Sequence, residues 1–385
     1  MPYSGSIYTN VAGATTAVPG QIVQSAVWDN IHNDYATALT QVMSQLISQI
    51  TNRNALYMNG GLEIWQRGAG SSASIAQAAS LTAYTADRWY LITGANQASI
   101  VAAVAGLTNG STVAGKVTRN AAQTGITAMT FGYPLDTDEI VRLRGSKISF
   151  TCVVKAGANW SPASGTLSVA FYTGTGAVAK RGGGFTNETT VLSISTNLTP
   201  GGANTTISGS STVVVPTNST QAELQFTWIP VGTAGANDEF SLDDVQIEAQ
   251  LSSQTWTPTN YDRLDFVTMF QACQRHYAKT FPYSTAPAQS GGVADSVAVI
   301  ANAVAKTAIW WQYPVRMRVS PSGSVTTYNP SAANANWRNV TSGADIVSSV
   351  DSNSLVGDLS IQILSATVTA QDQTVLIHIT ASAGI

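Results

Sequence analysis

From about residue 59 to 258 the chain is a series of short runs rich in Val, Ile, Thr and aromatic residues, among them KISFTCVVKA, GTLSVAFYTG, STVVVP and AELQFTWIPV, separated by Gly, Asn and Ser. Helical periods are absent from this stretch, and short apolar runs with turn residues between them are the pattern of strands. Antiparallel strands at this spacing fold as a β-sandwich or jelly roll. In AELQFTWI the apolar Leu224, Phe226 and Trp228 alternate with polar neighbours, so one face is expected to be core and the other wetter. No long internal repeat is evident, which argues against a β-helix or propeller.

The flanks read differently. Residues 1–24 are rich in Gly, Ala, Thr and Pro without a period, an irregular arm that needs a partner to be ordered. After Ser25, a good N-cap residue, Trp28, Ile31, Tyr35, Val42, Leu46 and Ile50 fall on one helical stripe that runs to about Asn54. The opposite face is polar with hardly a charge, so the stripe is expected to pack against copies of itself as a short coiled coil. Further on, Phe266, Phe270, Cys273 and Tyr277 share a helical face, with Asp262 and Asp265 near its start and Arg275 and Lys279 near its end, as the helix dipole favours. This predicts a helix over about 262–279, followed by a second, smaller set of strands. The expected division is therefore an arm and oligomerising helix (1–58), a sandwich (59–260), a linking helix (261–280) and a C-terminal β domain (281–385), a length suited to two or three domains.

Charge narrows the partners. Only 10% of the residues are charged, the net charge is -3, and no Lys/Arg cluster offers the phosphate neutralisation that nucleic acid requires. No segment has the ~20 apolar residues of a membrane-spanning helix, so membrane insertion is not expected, and MPYSGSIYTN lacks the pattern of a secretory signal. Two cysteines, Cys152 and Cys273, are too few for a disulfide framework or a cysteine zinc site.

Neither a nucleophile elbow, a P-loop, a zinc-protease motif nor a calcium loop is present. His32, His276 and His378 lie far apart in the sequence, and no residue is singled out as catalytic. Cleavage of a glycan takes two carboxylates with separate roles, and the 21 acidic residues single out no pair. Asp243 and Asp244 are adjacent in a strand-like run and so are expected to point to opposite faces, as turn or ladder anchors. A structural calcium at Asp243 and Asp244 is the lesser reading, and no other cofactor is expected. Sugar binding uses aromatic faces flanked by amides and guanidinium groups. Trp160 in AGANWSPASG and Trp337 in NANWRNV, with Arg338 and Asn339, lie in polar, loop-like settings and are candidates. Trp310 and Trp311 are consecutive in a strand-like run, so at most one can be core if the sheet has a wet side, and Trp311 joins the candidate set.

The stretch NGGLEIWQRG at 59–68 completes the pattern. Read as a strand, it puts Leu62 and Ile64 on one face and Glu63, Trp65 and Arg67 on the other. Glu63 and Arg67 then need partners elsewhere, expected in TADRW (Asp87, Arg88, Trp89) and SLDDVQIE (Asp243, Asp244). These residues read as framework, with the sugar contacts expected in loops. Together with PGQIVQSAVWDNIHNDY, the TWTPTNYDR segment, CQRHYAKTF and YPVRMRVSPS, these motifs resemble a family of bacteriophage tail-fibre and virion receptor-binding proteins. His276 stands where that family's Cys-Gln-Arg-Tyr-Tyr helix has its first Tyr. The resemblance covers most of the chain in order. It implies a carbohydrate-binding-module-like sandwich in a homotrimeric tail fibre or head spike, fixed to other virion proteins through its N-terminus and binding host surface glycan outside the cell. A particle-bound polysaccharide depolymerase and a passive decoration or adaptor protein are the competing readings.

Overall fold

The computed structural model describes residues 33–39, 54–250, 258–289, 291–301, 306–368 and 371–384, and the chain separates into two compact units, Met1–Thr51 and Asn52–Ile385. In the first unit residues 33–39 are helical and exposed in the single chain, Tyr35 by 61% and Leu39 by 62%. The rest of the expected stripe, Trp28, Ile31, Val42, Leu46 and Ile50, lies outside the described residues.

The second unit is built mainly of antiparallel strands. One six-stranded sheet runs in the order β1 (Ser74–Gln77), β4 (Ser99–Ala105), β5 (Val113–Arg119), β12 (Glu239–Gln250), β7 (Lys147–Ala156) and β10 (Thr205–Ser210). The other runs β2 (Thr82–Tyr84), β3 (Tyr90–Ile92), β6 (Met129–Pro134), β11 (Gln221–Trp228), β8 (Thr166–Gly174) and β9 (Thr189–Asn197). Alternation supplies the core between them: Ile148, Phe150, Cys152 and Val154 of β7 and Leu224, Phe226 and Trp228 of β11 are all buried in one cluster. Trp89 stacks on Phe131 at 4.9 Å at its centre. Burial of each such large side chain contributes roughly 1.5–3 kcal/mol.

Several expectations are corrected. The STVVVP run is not a strand, because the Ser211 hydroxyl donates to Val213 O at 2.8 Å and accepts from Ile148 N at 2.9 Å, competing with a regular ladder. The outer face of β11 is not wet: Glu223 and Gln225 are buried under the 175–188 loop, whose Arg181 N donates to Glu223 Oε2 at 2.7 Å. On that face the Lys180 ammonium lies 4.3 Å from the Tyr84 ring centre and the Arg181 guanidinium 3.7 Å from that of Tyr172. The N-terminal arm does not extend to residue 58, since Ala55, Leu56 and Met58 are buried in the second unit and Ala55 N donates to Ile247 O at 2.7 Å.

The NGGLEIWQRG stretch is a compact turn rather than a strand. Asn59 (φ 98) and Leu62 (φ 53) take left-handed backbone conformations. Asn59 Nδ2 donates to Ile64 O and Asp87 O, both at 2.9 Å, while its Oδ1 accepts from Ile64 N at 2.9 Å. The side chain thus replaces a strand partner, a habit of asparagine. A Cβ on Gly60 would sit 2.5 Å from Val245 O, which is why the first glycine of the pair is needed. Leu62, Ile64 and Trp65 are all buried, Leu62 and Trp65 in the sandwich core and Ile64 against Met269 and Cys273, so the two-residue alternation fails here.

The linking helix spans Phe266–Gln274, capped by Asp265, whose Oδ1 accepts from Thr268 N at 3.0 Å. Asp262 precedes it, and Tyr277 and Lys279 belong instead to β13 (Tyr277–Lys279), which pairs with β21 (Thr374–Ser382). Strands β14 (Val297–Ile300) and β16 (Val325–Tyr328) also pair with β21, as does β17 (Trp337–Asn339), which continues to β18 (Ala344–Ile346). A three-stranded sheet, β15 (Lys306–Gln312), β20 (Ser360–Val368) and β19 (Leu355–Val356), adds Ile309, Ile361 and Ile363 to a separate C-terminal core.

The sandwich and C-terminal strands are joined through buried charge. Arg88 Nη2 meets Glu139 Oε2 at 3.1 Å and Pro134 O at 2.6 Å, with both ionic side chains at 1% exposure or less. Arg88 Nη1 donates to His276 Nδ1 at 3.1 Å. Burial, and then Arg88, hold the His276 pKa well below the usual imidazole range. The ring is neutral, and its 3.5 Å approach to Asp136 is not an ion pair. Glu139 also caps the short helix Thr137–Val141 in a capping box with Asp136.

Candidate functional site

The sequence candidates for sugar contact divide sharply by exposure. Trp160 is 4% exposed, its Nε1 donates to Gly165 O at 2.9 Å, and its ring packs edge-on against Phe240 at 5.6 Å. Trp337 is fully buried in the C-terminal core. Arg338 pairs with Asp345 at 2.9 Å, and Asn339 is 4% exposed and bonded to Gln373. The loop-like settings of both tryptophans were misleading: the loop at Trp160 folds its ring back inside, Trp337 opens the buried strand β17, and neither ring can stack on a sugar.

The β15 pair resolves the other way from the expectation. Trp311 is half-buried, edge-on to Tyr313 at 5.1 Å, whereas Trp310 is 63% exposed. The parity was present in the sequence: Thr307, Ile309, Trp311 and Tyr313 face inward with the core, leaving Trp310 with Ala308 and Gln312. Register places Trp310 opposite Gln362 of β20, Gln362 opposite Leu355 of β19, and Gln312 opposite Ser360. At about 4.8 Å between strands, the row from Trp310 to Leu355 spans roughly 10 Å. An indole face bordered by amides and a hydroxyl, with no charge among these positions, suits a hydroxylated ring that stacks through its C–H face.

A second polar surface lies over β7 and β10. A cleft of about 560 Å³ has Thr151, Val153, Thr206 and Ser208 in its floor and Asp244 and Arg263 at its side. Asp243 and Asp244 do not face opposite ways as a regular strand requires. A bulge between Asp243 and Gln246, with Asp244 at φ 49, turns both carboxylates onto the 107–111 loop. Asp243 accepts from Leu107 N at 2.7 Å and Ser111 Oγ at 3.0 Å, and Asp244 accepts from Thr108 Oγ1 at 2.7 Å and from Arg263. Burial, and then Asp244, push the Asp243 pKa up to about 6. The Arg263 guanidinium beside Asp244 also pairs with Glu63. Among the described residues no group of three or more potential ligands forms.

The expected framework partners are in contact. Arg67 pairs with Asp87 at 3.2 Å, and its guanidinium lies 4.7 Å from the Tyr84 ring centre and 4.1 Å from that of Tyr277. Glu63 reaches the SLDD bulge through Arg263, which pairs with both Glu63 and Asp244. Trp65 Nε1 donates to Leu62 O at 2.6 Å and Trp89 Nε1 to Asn59 O at 2.8 Å.

No protein-family model and no curated protein matches this chain. Among solved structures it is similar to a sugar-binding protein of Bacteroides thetaiotaomicron VPI-5482, described as putative, at 12% identity and TM-score 0.29, over 44% of this chain and 90% of that one. It is also similar to a cyclase of Fischerella sp. TAU, at 13% identity and TM-score 0.31, over 51% and 96%. A third is the carbohydrate-binding and catalytic portion of a Clostridium thermocellum xylanase, at 15% identity and TM-score 0.27, over 45% of this chain but 28% of that one. Likeness at this level transfers no function, and the three proteins differ in what they do.

Proposed function

We propose that this protein is a non-enzymatic glycan-binding subunit of a virion fibre or spike, a homotrimer attached to the particle through its N-terminal unit and directed at host cell-surface polysaccharide. The observation that carries the binding reading is Trp310, a large aromatic face left 63% exposed beside the uncharged Gln312, Gln362 and Ser360. With Leu355, 64% exposed in the same cross-strand row, it forms an apolar surface rimmed by polar residues, the kind that marks an interaction site. The virion role rests on the sequence motifs. Binding without cleavage is supported by the engagement of Asp243 and Asp244: their oxygens are held by Leu107 N, Ser111, Thr108 and Arg263, whereas hydrolysis needs two carboxylates free to flank one glycosidic bond.

A glycan array probed with the full-length protein, followed by analysis of bound polysaccharide for new chain ends, tests this reading. Retained glycan with no new ends is expected. New reducing or unsaturated ends would establish the depolymerase, and binding to no glycan would favour the adaptor.

A further inference from the structure

At the C-terminal end of the helix Phe266–Gln274 lies a cavity of about 550 Å³, lined by Arg275, Arg316, Arg318, Asp358, Gln271 and Met317 among others. The whole chain has 18 Lys and Arg, so three guanidinium groups on one cavity concentrate positive charge in a protein otherwise poor in it. The backbone enforces the grouping: Arg318 N donates to Arg275 O and Met317 N to Asp358 O, both at 2.8 Å. Two carboxylates approach the three arginines. Arg275 Nη1 lies 3.3 Å from Asp138 and Arg316 Nη2 2.7 Å from Asp358, with side-chain exposures of 37% and 60% in the first pair and 70% and 37% in the second. Such solvent-exposed pairs are held weakly and exchange readily for another anion.

Among the described residues Arg318 forms no carboxylate pair: its Nε donates to Gly384 O at 3.3 Å and its Nη2 to Ala383 O at 3.2 Å. Burial, with Arg88 and Arg275 nearby, holds it below the usual guanidinium range despite Asp136. The cavity therefore presents three guanidinium groups, two of them in exposed and exchangeable pairs, as planar donors whose geometry matches a carboxylate. Strand β15 leads toward it from Trp310. Tyr313 N donates to Leu359 O at 3.0 Å, extending the β15–β20 ladder toward Asp358, and residues 310 to 316 span at most about 20 Å of chain.

We infer that this arginine-lined cavity binds the carboxylate of an acidic sugar, so that the polysaccharide stacked at Trp310 bears uronate residues. The inference rests on the glycan-binding reading above and narrows it to a class of ligand. Calorimetric titration of the full-length protein with a β-linked tetraglucuronate and with its uncharged methyl ester tests it. The acid is expected to bind at least tenfold more tightly than the ester at low salt, with the difference shrinking as salt is raised. In the double variant Arg275→Gln, Arg316→Gln the preference should fall below twofold, while the unfolding midpoint stays at that of the parent because both side chains are solvent-exposed. Equal affinity for acid and ester, an unchanged preference in the double variant, or failure to bind the acid while neutral glycans bind would overturn the inference and leave the glycan reading standing. Failure to bind any glycan on the array would overturn both.

Discussion

Arg67 and Asp87, twenty residues apart, form a 3.2 Å ion pair that ties the opening turn to the segment before β3. Asp87 also accepts from Gln66 N at 2.6 Å. Burial outweighs the pairing and raises its pKa to about 6 from 3.8. A carboxyl whose folded value is raised favours the folded state most below its unfolded value, and that advantage is lost as pH climbs through the folded one. Relative to Asp87→Asn, the parent protein should therefore lose up to about 3 kcal/mol of stability between pH 4 and pH 6 and change little above. Urea midpoints of the two proteins across that range check this, and parallel curves would show that Asp87 does not titrate there.

The Arg88–Glu139 pair has no solvent to fall back on, with side-chain exposures of 1% and 0%. Replacing Arg88 with Met leaves Glu139 buried beside Tyr133 without its counter-charge. A loss of about 3–5 kcal/mol is expected. Chemical denaturation measures it, and a loss under about 1 kcal/mol would mean that water reaches Glu139 in the variant.

Trp160 and Trp310 should separate stability from binding. Trp160→Ala removes a ring packed against Trp228 and Phe240 and is expected to cost about 3–5 kcal/mol while leaving glycan affinity unchanged. Trp310→Ala should leave the unfolding midpoint within about 0.5 kcal/mol of the parent, as surface substitutions do. A stability loss for Trp310→Ala like that of Trp160→Ala would show that its ring is covered in solution.

The N-terminal unit is expected to set the oligomer. Light scattering should give three chains for the full-length protein and one for a chain lacking residues 1–51, the first compact unit. A trimer that survives the deletion would move self-association into the second unit.

How far the sequence foretold this structure depended on range. The sandwich was legible because β7, β8 and β11 place their apolar core residues at alternate positions, as with Leu224, Phe226 and Trp228. The opening turn was not, because Asn59 replaces strand pairing with its own side chain, which two-residue periodicity does not register. The Asp243–Asp244 bulge and its guanidinium partner were equally hidden, since Arg263 lies 19 residues from Asp244 and meets it only through the fold. For the candidate site, polar flanking residues made Trp160 and Trp337 resemble exposed loop rings. The informative signal was the parity of Ile309 and Trp311, which leaves Trp310 outside.

Glycan binding at the exposed β15 ring is tested most directly by titrating the parent protein and Trp310→Ala with a glycan selected on the array. The expected result is a loss of at least about tenfold in affinity, or about 1.4 kcal/mol, with fold and chain number unchanged. Equal affinity of the two proteins for that glycan would contradict it.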